Sequence, residues 1–222
     1  MKYNFKLLYS PVKWLSCFIF ILIIPIAMYA PSYYDFINLA TIYTSFIGVV
    51  LFTDIALIDK NNGVEEITYI SNRTPVKTFI QRFIITLILL IGYIILANLA
   101  YRVLFLINNP NETLLEPISF IEYIVIVTSS TLMLGIMSMT ISNITNNLYI
   151  GYGIALLYWL YWNINAQIES MFNLFPFIAN PTYYERHLAL EIIWIVLLLL
   201  VNVMLSKKSP YFFMDKIKKM FF

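Results

Sequence analysis

"PVKTFIQRFIITLILLIGYIILANLAY", residues 75–101, is the stretch whose reading decides the fold. After Arg82 it carries no charged residue through to its end. A helix needs about 20 apolar residues to cross the hydrocarbon core of a bilayer, and this segment exceeds that. Backbone amides in lipid find no water, so a single crossing segment must bond them within itself, as a helix does. The rest of the chain has the same character. Of 222 residues, 61% are hydrophobic and only 12% are charged, and the mean hydropathy is +0.80. Soluble domains carry about 25% charged residues. The composition therefore specifies an all-α integral membrane protein.

Working outward, five more apolar runs accompany the first, giving expected spans at 14–30, 36–58, 75–101, 118–142, 148–164 and 188–205. Pro25 marks a kink in the first, and no small-residue cleavage site follows it, so it reads as a retained span. The whole chain reads as one transmembrane domain. Its single cysteine, Cys17, lies in an apolar run and has no internal disulfide partner. Six spans place both termini on one side, along with an insert at 59–78 and the short link at 143–147. That side collects Lys2, Lys6, Lys13, Lys60, Arg73, Lys77, Arg82, Lys207, Lys208, Lys216, Lys218 and Lys219, against Arg102 and Arg186 on the other. Lys and Arg stay inside, so the expected topology is N-in and C-in, multi-pass, in the cell membrane. The far side collects acids: Asp35, Glu112, Glu116, Glu122, Glu169, Glu185 and Glu191. Residues 1–13 and the basic tail 206–222 alternate cations with apolar side chains, as segments lying on an anionic membrane surface do. A flat helix of that kind also suits bracing a cytosolic partner.

Several chemistries are excluded by their missing residues. None of the six glycines precedes a Lys, so there is no phosphate-cradling loop. There is no H-E-x-x-H and no G-x-S-x-G, and the lone His187 reads as a surface residue. The chain is therefore not expected to be an enzyme or to bind a metal or cofactor, and no nucleic-acid partner is indicated. Ion-driven transporters place ionisable groups in mid-membrane. Here Asp54, Arg102, Glu122 and Glu191 fall near expected span ends, where hydration relieves them. The deeper polar residues, Asn98 and Asn202, are neutral and read as interhelical hydrogen-bond formers. No proton relay is legible, so energy for uphill movement would come from elsewhere.

Three features carry signal. In the fourth span Thr128, Thr131, Gly135, Ser138 and Ser142 recur at steps of three and four, forming a stripe of small residues that lets a second backbone approach closely. Packing inside the monomer and an interface between two chains both fit. The segment 163–187 is too polar to span and too aromatic for a free loop. An interfacial aromatic belt and a re-entrant hairpin fit equally. The insert has helix punctuation. Asn62 with Glu65 forms a capping-box pattern, Val64, Ile67 and Ile70 share a face, and Pro75 ends the helix by about Arg73. The product is a short amphipathic helix tied tightly to two spans.

That insert resembles the region between the second and third spans of bacterial type-2 ABC exporter permeases. Such permeases carry an acidic-basic pair, two spacers, a Gly, further acids, then a Pro and a basic residue. The counterparts here are Asp59-Lys60, Gly63, Glu65 and Glu66, Pro75 and Arg82, with Asp59 where Glu is commoner and Val64 where Thr or Ser is commoner. Six spans, an N-in start and a polar hairpin before the last span are also similar to that family. The resemblance implies pairing with a second permease chain and docking on a separate ATP-binding subunit, which would hold ATP and Mg. Gly63, Val64, Glu65, Glu66, Ile67, Ile70 and Arg73 would form the coupling helix. Asn143, Thr145 and Asn146 would form a second, smaller contact, and 1–13 the connecting helix. Thr131, Gly135, Ser138 and Ser142 would serve helix packing or the dimer interface. The implied activity is ATP-driven export, with the aromatic content suiting an amphipathic or hydrophobic cargo such as a peptide or drug. Other classes remain open: an ion-coupled transporter or channel, and a non-transporting immunity or scaffold protein.

Overall fold

The computed structural model describes residues 11–27, 30–58, 75–109 and 118–206. Every regular element among them is helical: α1 (Pro11–Ala27), α2 (Tyr33–Phe52), α3 (Pro75–Asn108), α4 (Phe120–Thr145), α5 (Leu148–Ile164), α6 (Pro176–Ala179) and α7 (Tyr184–Ser206). Four of these, α2, α3, α4 and α7, are long and apolar enough to cross a membrane.

Residue chemistry sets the helix ends. Pro11 opens α1, where its missing N–H is no loss. Pro25 lies inside the same helix. Ser32 caps α2 by accepting from the Asp35 amide at 3.1 Å. Ser119 and Glu122 close a reciprocal capping box on α4, the Ser119 amide donating to Glu122 at 2.7 Å. At its far end Asn146 adopts φ 52°, a left-handed conformation that Asn tolerates. The next residue, Asn147, caps α5 by accepting from the Tyr149 amide at 2.9 Å.

The helices run to other bounds than the expected spans. The first described helix covers Pro11–Ala27, against an expected span of 14–30, so residues 11–13 are helical with it. The second ends at Phe52 rather than 58. There Thr53 turns its hydroxyl onto the Val49 carbonyl at 2.5 Å. Tight turns follow, with the Ile55 amide bonded to Phe52 and the Leu57 amide to Asp54. Asp54 is drawn aside by Lys13 at 2.9 Å, a partly buried ion pair joining the start of α1 to the end of α2. The third helix runs on past 101 to Asn108, since nothing in "RVLFLIN" breaks it. The fourth is Phe120–Thr145, against 118–142, and the last Tyr184–Ser206, against 188–205.

Paired contacts fix the helix directions. Tyr33 lies by Tyr123, Thr44 by Thr131 and Thr53 by Ser138, so α2 and α4 run parallel. Glu191 with Ser129 and Asn202 with Thr140 align α7 with them. Phe52 with Phe83 and Phe36 with Tyr101 set α3 antiparallel to α2. Lys13 with Asp54 and Phe20 with Phe46 do the same for α1. Trp159 donates to the Ile42 carbonyl at 2.8 Å while Gly151 lies against Ser142, so α5 is antiparallel too. The bundle thus alternates, and the start of α1, both ends of the 59–74 insert, the α4–α5 link and the end of α7 share one end.

At the centre sits α4, packed on α2, α7 and α5. Its apolar window is 67% buried, against 17% for α7, whose Ile192, Ile193, Val196, Leu197 and Leu200 face outward. In water such exposure would be untenable; against lipid tails it is the solvated state.

Candidate functional site

Two polar seams run along α4. The first is the small-residue stripe, and it faces inward. Thr131, Gly135, Ser138 and Ser142 are each buried. Gly135 and Gly48 of α2 meet backbone to backbone: a Cβ on Gly135 would stand 2.7 Å from the Gly48 carbonyl oxygen, and one on Gly48 would strike the Thr131 carbonyl. Ser138 shares a 2.6 Å hydrogen bond with Thr53. Ser142 presses on Gly151 of α5. All four of these residues pack within the chain.

The second seam joins α4 to α7. Asn202 donates to the Thr140 hydroxyl at 2.6 Å and accepts from Asn143 at 3.3 Å. Three turns away, Ser129 donates to Glu191 Oε2 at 2.6 Å. Glu191 is only 4% exposed, and its other oxygen, Oε1, has no hydrogen-bond partner. Because α7 begins at Tyr184, this carboxyl lies two turns inside the helix, about 10 Å along its axis. It thus stands within two turns of a helix end, as expected, but it is buried against Ser129 rather than exposed for hydration.

At the hairpin end of the bundle the connection 165–183 folds against α2 and α5. Asn173 stitches it by donating to the Ala166 and Ile168 carbonyls at 2.9 and 2.7 Å, and Phe175 and Phe177 are buried. The Tyr34 and Phe177 rings lie 5.4 Å apart. Asn180 donates to Glu169 at 2.7 Å. Between this connection and α7 opens a cavity of about 380 Å³, lined by Glu169, Asn180, Thr182, Tyr183, Glu185, Arg186 and His187. Nδ1 of His187 is buried there without a partner. Near this end, Asn98 donates to the Tyr33 hydroxyl at 2.7 Å and accepts from Arg102 at 2.7 Å. Arg102 also lies over the Tyr33 and Phe120 rings.

The expected coupling residues Gly63, Val64, Glu65, Glu66, Ile67, Ile70 and Arg73 lie outside the described residues. Of the second expected contact, Thr145 and Asn146 are exposed at the α4–α5 turn, whereas Asn143 is buried against Asn202 and unavailable to a partner. Among the described residues no group of three His, Cys, Asp or Glu side chains could hold a metal. Sequence reasoning missed the Glu191–Ser129 pair. The residues stand 62 positions apart, and only their opposition across two packed helices gives them meaning.

The chain matches no protein-family model, no curated protein and no solved structure.

Proposed function

We propose that the chain is the transmembrane subunit of an ATP-driven ABC exporter in the cell membrane, crossing it six times with both termini in the cytoplasm. Besides the four long helices, α1 and α5 have 17 residues each, at the short end of the range that spans. The alternating directions of α1 to α5 and α7 suit six crossings. The charge asymmetry between loops supplies the orientation.

The observation that carries the coupling role is how the 59–74 insert is mounted. It leaves α2 through a turn whose Thr53, Ile55 and Leu57 are buried, pinned by Thr53 to Ser138 of α4 and by Asp54 to Lys13 of α1. It then enters α3 at Pro75. A push delivered to the described residues that flank the insert would reach α1 and α4 through Asp54 and Thr53, and α3 at Pro75. A separate subunit binding ATP and Mg would deliver that push on Gly63–Arg73, with Thr145 and Asn146 as the lesser contact. A second permease chain would have to use a face other than the α4 stripe, which is filled from within. The outward faces of α5 and α7 offer apolar area for it, and an amphipathic cargo would travel beside them.

The test is co-purification. The full chain, expressed with the ATP-binding subunit encoded beside it, should carry that subunit through detergent extraction. Glu65→Arg with Glu66→Arg should abolish the complex and export while leaving membrane insertion intact. Failure to form a complex, or export surviving the double charge reversal, overturns the proposal.

The buried Glu191 favours a second reading, an ion-coupled transporter acting alone. Uptake or release by proteoliposomes of this chain under an ion gradient, without ATP, would select it.

A further inference from the structure

We infer that Glu191 is a proton-binding site inside the bundle, loaded through His187 from the 380 Å³ cavity at the hairpin end. The inference does not depend on what energises the chain.

Three observations meet here. Glu191 is 4% exposed and holds one hydrogen bond, from Ser129, which leaves Oε1 buried without a partner. Asn202 and Asn98 are bonded across helices to Thr140 and Tyr33. Other buried polar atoms among the described residues also lack a partner, Thr128 Oγ1, Ser142 Oγ and Trp162 Nε1 among them, but these belong to neutral groups, whereas Glu191 is a carboxyl. Packing alone would be served by a neutral amide, so a carboxyl with a spare oxygen points to an exchangeable ligand. A buried carboxylate without a counter-charge is costly. A proton needs no ligand beyond that one oxygen, and among the described residues no group of three His, Cys, Asp or Glu side chains stands together for a metal.

His187 supplies the route. It precedes Glu191 by four residues, so the two side chains share a face of α7 with Cβ atoms about 6 Å apart. It lines the cavity, yet its Nδ1 is buried and unpartnered. The imidazole can accept a proton from cavity water on one nitrogen and release the other proton inward. Glu191 then gains a proton at Oε1, and the imidazole returns to neutral.

On α7, Glu185 and Arg186 line the cavity mouth. From α5, the Tyr158 hydroxyl donates to the Phe172 carbonyl. From α4 the facing group is the Ser129 hydroxyl. On the 165–183 connection, Glu169 lies across the cavity and is bonded to Asn180.

The experiment uses the full chain purified into lipid vesicles and dicyclohexylcarbodiimide, which attacks protonated carboxyls in apolar surroundings. Peptide mass spectrometry should find the adduct on Glu191, lost as pH is raised, and none on the solvated Glu169 or Glu185. Infrared spectroscopy after a pH jump should show one carboxyl band that is absent in Glu191→Gln. His187→Gln should slow the appearance of that band by about tenfold or more, leaving its final amplitude unchanged. No adduct on Glu191 at any pH, or labelling that ignores pH, overturns the site. An unchanged rate in His187→Gln overturns the route.

Discussion

Glycine positions divide sharply by what surrounds them. Gly48 and Gly135 sit where α2 and α4 touch backbone to backbone, and any Cβ would collide with main-chain oxygen that cannot swing away. Gly48→Ala is expected to cost about 2 kcal/mol or more, since overpacking forces the helices apart. Gly153 and Gly92 have nothing within 4 Å of an added Cβ. Gly153→Ala should therefore leave stability unchanged or raise it by up to about 1 kcal/mol. Thermal unfolding of the two variants in one detergent would check the ranking. The stripe of small residues was legible from spacing alone, because a period of three and four needs only the helix geometry. Its partner, Gly48, was not, because a lone glycine in an apolar run announces nothing until another backbone lies against it.

At the scale of elements, local chemistry decides where helices begin, and tertiary contacts decide where some end. The Ser119–Glu122 box is closed within four residues. Ser119→Ala should cost α4 about 1 kcal/mol and speed amide exchange in its first turn. The end of α2 answers instead to Lys13, 41 positions away. The pair is half-shielded, so breaking one side strands the other charge. Lys13→Met alone should destabilise the protein by about 2 kcal/mol, and adding Asp54→Asn should recover part of that loss. A double-mutant cycle measured by unfolding reads the coupling. The apolar run 36–58 gave no warning of a break at 52, since hydrophobicity is continuous through "LFTDIALI" and the turn is made by the distant lysine and Ser138. The extension of α3 was hidden for the opposite reason. Beyond Tyr101 the chain becomes less suited to lipid at Arg102, but no less suited to a helix.

Across the whole molecule, α2 and α4 form the rigid centre and α7 is attached at its flank by two polar stations, Glu191–Ser129 and Asn202 with Thr140 and Asn143. Lipid tails compete on equal terms for its Leu and Ile side chains, so these hydrogen bonds and close packing hold it in place. Asn202→Leu is expected to loosen α7 by about 1 kcal/mol. Hydrogen exchange should then rise along α7 before it rises in α2 or α4, and equal acceleration in all three would contradict this ranking. The sequence by itself determined that the chain is helical and lipid-soluble, because those properties follow from single-residue transfer costs and from the need of each backbone amide for a local partner. It also marked the 59–74 insert by caps and a breaker. Only the tertiary structure decided that the small-residue stripe is filled from within, that α2 stops early, and that Glu191 is buried beside Ser129. Each of these depends on which side chain stands opposite across a helix interface, a relation between residues 41 to 85 positions apart that no local pattern encodes.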